Sequence, residues 1–148
     1  MLNKIFIGVK RDGGYEVYRS MYAPKGKKYR TVIQVEFENM FEPASRTFSC
    51  RVESGIVTDQ ALYDFINEWV DTHILVDPTD VELKSEVYYI KNPNNVFAGS
   101  GCVLVVTGDG EITADDSFQI VAYENVKIYR KSPLRVDAWN NVTLHNLY

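Results

Sequence analysis

The stretch from Thr58 to His73, TDQALYDFINEWVDTH, constrains the fold of this chain more than any other. Leu62, Phe65, Ile66, Trp69 and Val70 recur at helical spacing and make one apolar stripe on a 3.6-residue period. The pattern predicts an amphipathic helix over about residues 58–73. Thr58 or Asp59 is placed to cap its free amides, and Asp59 also suits the positive end of the dipole. Phe65 and Trp69 sit one turn apart on the apolar side, so the helix should anchor a core. Its opposite face carries Asp64, Glu68 and Asp71 and has no Lys or Arg.

The rest reads as β-strand. Ile5, Ile7 and Val9 alternate with other residues, Arg11-Asp12-Gly13-Gly14 supplies turn chemistry, and Tyr15 to Arg19 alternates again, which predicts a hairpin. Residues 20–29 form a lysine-rich loop punctuated by Pro24 and Gly26. Thr31–Glu38 puts Ile33, Val35 and Phe37 on one face. Arg46–Glu53 puts Phe48, Cys50 and Val52 inward.

Beyond the helix, Ile74–Val76 is extended up to Asp77-Pro78, and Glu86–Lys91 is an aromatic-rich strand. Val103–Thr107 is an unbroken apolar run, expected to be buried on both faces. Phe118 to Arg130 is one bulged strand or two meeting near Glu124-Asn125, and Leu134–Leu144 is a last strand. No internal repeat or linker is evident, so a single domain over 1–148 is expected.

Strands joined by short turns imply antiparallel pairing, because parallel neighbours need crossovers. The expected fold is therefore α+β, mostly β: a twisted antiparallel β-sandwich or barrel of about eight or nine strands with one flanking helix.

At 45% hydrophobic and 13% aromatic the chain is globular in composition. Its apolar runs are too short for a signal peptide or a spanning helix, so no membrane partner is expected and the location is cytoplasmic, in the host cytoplasm or virion if the protein is viral. Cys50 and Cys102 read as buried free thiols. No HxH, HExxH or CxxC spacing occurs. Asp109, Glu111, Asp115 and Asp116 lack the order of a calcium loop. Gly99-Ser100-Gly101 lacks both the lysine of a phosphate loop and the flanking residues of a nucleophile elbow. No metal, cofactor or catalytic residue is assigned, and a non-enzymatic protein is expected.

Charge is the feature that remains. Residues 1–30 carry eight cations against Asp12 and Glu16, a net +6, whereas the rest of the chain carries −10. Two candidate surfaces follow. One is the acidic helix face of Asp64, Glu68 and Asp71, where Asp64 and Glu68 repel each other by about 0.2–0.5 kcal/mol. Such a face suits a basic partner: the chain's own loop at residues 25–30, the same loop on a second copy, or another protein. The other is the basic and aromatic hairpin over residues 15–30, with Arg19, Lys25, Lys27, Lys28, Tyr29 and Arg30. Interleaved cations and flat rings are what a single-strand binder needs.

The leading reading is a protein-interaction module. It would act as an assembly subunit, a phage or viral structural type included, or as a surface-contact inhibitor of a basic partner. The order of strands, one acidic-faced helix and further strands resembles that of bacteriophage tail-tube and tail-terminator subunits, a likeness of element order alone. The alternatives are a nucleic-acid or nucleotide binder using residues 15–30, and a hydrolase with an unrecognised site.

Overall fold

The computed structural model describes residues 1–117 and 119–148. The chain divides into two compact units, Leu2–Thr72 and His73–Tyr148. No described helix is long and apolar enough to cross a membrane.

In the first unit the strands β1 (Lys4–Val9), β2 (Tyr15–Val17), β3 (Thr31–Glu38), β4 (Thr47–Val52) and β5 (Gly55–Ile56) form one antiparallel sheet in the order β2-β1-β3-β4-β5. The expected hairpin is present: Gly13 has φ 94° in its turn, and Asp12 Oδ1 accepts a hydrogen bond from the Gly14 amide at 2.9 Å. Helix α1 (Gln60–His73) starts one residue after Asp59, whose Oδ1 accepts the Ala61 N–H at 2.9 Å. Leu62, Ile66, Trp69 and Val70 are buried, as the stripe requires. Against the sheet, Trp69 stacks on Phe37 with centroids 6.4 Å apart, and Tyr63 meets Phe48 edge-on at 5.4 Å.

The second unit overturns the antiparallel expectation. Strands β6 (Ile74–Val76), β8 (Val87–Lys91), β10 (Val103–Thr107), β12 (Gln119–Ala122) and β14 (Val136–Ala138) form one sheet. Strands β7 (Glu82–Leu83), β9 (Val96–Ala98), β11 (Asp109–Ala114), β13 (Asn125–Arg130) and β15 (Thr143–Asn146) form another. Every pairing in both sheets is parallel. The chain alternates between the sheets, one strand of each making a rung, and winds a β-solenoid of about 4 turns. It is not a sandwich or barrel of antiparallel strands.

The pairing register exposes a repeat that the residue identities hide. Leu75, Ile90, Val106, Ala122 and Ala138 stack in one column, and Glu82, Phe97, Thr113, Tyr129 and His145 in another. Successive members are 15 residues apart at the first step and 16 thereafter. The crossover that parallel strands need is here the strand of the opposite sheet.

What turns the chain is a left-handed residue at each corner. Asp77, Asn92, Gly108, Glu124 and Asn140 have φ of 53°, 55°, 83°, 60° and 54°. One such residue bends the strand out of its sheet without folding it back beside itself, and Asn, Asp and Gly tolerate that conformation best.

Side chains bind adjacent corners into ladders. Asn92 Nδ2 donates to Asp77 Oδ1 at 3.0 Å, Asn125 Nδ2 to Asp109 Oδ1 at 3.1 Å, and Asn141 Nδ2 to Asn125 Oδ1 at 3.2 Å. Between the sheets, Leu104, Val106, Ile112, Ala114, Ile120 and Ile128 fill an apolar core. All five residues of Val103–Thr107 are buried, as an unbroken apolar run demands. The long strand expected from Phe118 is two, meeting at the Glu124 corner; Phe118 itself lies outside the described residues. The single last strand expected over Leu134–Leu144 is likewise two short ones, β14 and β15.

Candidate interaction surfaces

Asp64, Glu68 and Asp71 are all exposed, spaced i, i+4, i+7 along α1, so the acidic face is real. It is less isolated than its sequence suggests. Gln60 Nε2 donates to Asp64 Oδ1 at 2.8 Å. Asp71, Arg46, Asn67, Thr47 and Phe48 line a cavity of about 250 Å³ beside the helix. Burial lowers the pKa of the Arg46 guanidinium, and the Asp71 carboxylate opposes that shift. Its Nε donates to Met40 O at 2.6 Å. A cation from the segment between β3 and β4 therefore stands near the end of the acidic stripe, where the helix sequence shows none.

The basic hairpin is rearranged more. Lys25, Lys27 and Arg30 are exposed, and their side chains make no ion pair among the described residues. Arg19 is exposed as well. Tyr29, however, is buried and no stacking platform for a ligand. Its ring lies on Gly8, where a Cβ would come within 2.3 Å of it. Its hydroxyl donates to Glu16 Oε2 at 2.7 Å, and burial first, then Glu16, raises its pKa. The Lys28 ammonium is 5.2 Å from the Tyr29 ring centroid and 5.9 Å from that of Tyr18, so this cation is engaged within the unit. Tyr15 packs on Phe65. Of the tyrosines in the stretch only Tyr22 stands well exposed, which leaves one ring rather than an array.

Two further features were not assigned from sequence. His73 Nε2 lies 3.1 Å from Glu86 Oε2, its ring stacks on Tyr88 at 5.1 Å, and the Tyr88 hydroxyl donates to the same carboxylate at 3.3 Å. Burial, with Glu86 beside it, pushes the Tyr88 phenol up to about 12. Cys102, whose Sγ donates to Lys84 O at 3.0 Å, is fully buried. Burial pushes the Cys50 thiol up to about 11, so neither thiol is placed to react.

The second feature is the last rung of the solenoid. β14 and β15 are edge strands, each paired on one side only. Around them Trp139, Leu144, Leu147 and Tyr148 are 58%, 39%, 56% and 60% exposed, four of the exposed large apolar residues among those described. Tyr129 and His145 stack at 4.8 Å and Tyr123 and Trp139 at 6.4 Å, both pairs nearly parallel. Open strand edges flanked by apolar side chains are templates for further pairing. A 16-residue count between apolar columns is the signal that would have located this rung.

No protein-family model matches the chain, and no curated protein or solved structure matches it either.

Proposed function

We propose that the chain is a non-enzymatic protein-interaction module that works as a subunit of an assembly. The observation that carries this reading is the last rung, where two unpaired parallel edges and four exposed apolar side chains lie together. Edges of this kind are usually blunted by charge, bulges or covering segments, because they recruit other chains. The acidic face of Asp64, Glu68 and Asp71 supplies a second contact surface for a basic partner.

Absolute mass by light scattering over a range of protein concentrations tests the reading. Species heavier than the 17.0 kDa monomer are expected, and Trp139→Ser with Leu144→Ser should return them to monomer mass without unfolding. A monomer at every concentration, parent and variant alike, would overturn it.

Nucleic-acid binding is the second reading, supported by the exposed, unpaired Lys25, Lys27 and Arg30. It requires that a labelled oligonucleotide bind at low salt and that Lys27→Glu with Lys28→Glu abolish that binding.

A further inference from the structure

The partner that fits the last rung is the first rung of a second copy. We propose that copies stack head to tail along the solenoid axis, β6 and β7 of one continuing the sheets that end in β14 and β15 of the next; this rests on the assembly reading above.

Two observations converge on it. The first is register. The column Glu82, Phe97, Thr113, Tyr129 and His145 has its next place directly above His145, and the residue that begins the column is Glu82. Continuing the repeat sets a carboxylate against an imidazole. The same step sets Leu75 over Ala138, a large side chain over a small one. One residue further along it brings Val76, 39% exposed, onto the exposed Trp139. Val81 reaches Leu144, so apolar meets apolar.

The second is direction. The rings of Tyr129 and His145 lie within 21° of parallel, one strand spacing apart, so their faces look along the solenoid axis. This ladder stops at the last rung with a place above it, which a parallel rung fills and an antiparallel one shifts out of register. A contact that does not close on itself propagates, so the product is a linear polymer.

Cysteine pairing tests the geometry. Within one chain, positions 82 and 145 are four strand spacings apart, roughly 19 Å, beyond the reach of a disulfide. In the stacked arrangement they are neighbours. Oxidised Glu82→Cys/His145→Cys protein should therefore run as a ladder of multiples of 17.0 kDa on a non-reducing gel. A mixture of the two single variants should stop at the covalent dimer. Independently, Glu82→Lys, at an exposed position, should move the light-scattering mass of the otherwise unmodified protein to that of the monomer.

An oligomer that forms no ladder and ignores Glu82→Lys would overturn the stacking while leaving the assembly reading intact. A parent protein that is monomeric throughout and forms no ladder would overturn both.

Discussion

Gly110→Ala is expected to destabilise the solenoid by about 3 kcal/mol or more, read as a lowered denaturation midpoint with unchanged secondary structure at low denaturant. Gly110 has φ 122°, a region closed to side chains, and an added Cβ would fall 1.9 Å from the carbonyl oxygen of Pro93 in the rung below. That carbonyl cannot move aside, because it accepts the Glu111 amide at 3.0 Å. Steric and conformational costs therefore add at this one position.

Gly13 separates them. It too has positive φ, 94°, but nothing lies within 4 Å of its would-be Cβ. Gly13→Ala should cost only the conformational part, about 1 kcal/mol. Equal effects at the two glycines would mean that the rungs are not packed as closely as the structure shows.

The second large effect belongs to the first unit. Trp69→Ala should cost about 3–5 kcal/mol, the range for a large buried aromatic whose removal leaves a cavity. Trp69 is buried on the helix face that meets the sheet and stacks on Phe37, itself among the largest fully buried side chains. Neither Ile66 nor Leu62, one and two turns away, can reach to fill the gap. Loss of the tertiary near-ultraviolet signal at moderate denaturant would show it. A variant melting within a degree or two of the parent would mean that α1 does not anchor this unit.

How far each half could be read from sequence follows from the length scale of its signal. In the first unit the informative periods are short. The α1 stripe repeats within four residues, β3 alternates every second residue, and the Arg11–Gly14 turn announces its hairpin. All three are present as expected, with α1 starting at Gln60 rather than Thr58.

In the second unit the informative period is 16 residues, and chemistry varies along each column. Leu75, Ile90, Val106, Ala122 and Ala138 share a place without sharing a size, and the corners pass through Asp, Asn, Gly, Glu and Asn. Strands of three to six residues with a turn after each look the same whether the turn reverses the chain or only bends it. The deciding datum is which strand lies alongside, and neighbours in sequence do not supply it. The likeness to tail-tube and tail-terminator subunits is one of element order alone, and among the described residues the strands after the helix pair in parallel, which element order does not reveal.

The candidate surfaces divide the same way. Exposure of Asp64, Glu68 and Asp71 follows from helical spacing alone. The approach of Arg46 to Asp71 depends on packing across 25 positions of chain. The loss of Tyr29 to the interior depends on one residue, Gly8, whose missing side chain makes room for the ring. Composition identified the cations of the hairpin and could not identify which ring the fold had already used.

The central claim is that residues 73–148 wind a parallel solenoid with a 16-residue step. Its most direct test is an intramolecular disulfide at Thr113→Cys/Tyr129→Cys, positions paired across β11 and β13 on the outward face of their sheet. Parallel neighbours bring the two Cα atoms to about 4.8 Å, inside the range a disulfide spans. Rapid, quantitative oxidation to a monomeric cross-linked species, with the spectroscopic fold retained, is the expected result. Protein that keeps both new thiols free under the same oxidation would contradict the register, and with it the rung on which the proposed assembly depends.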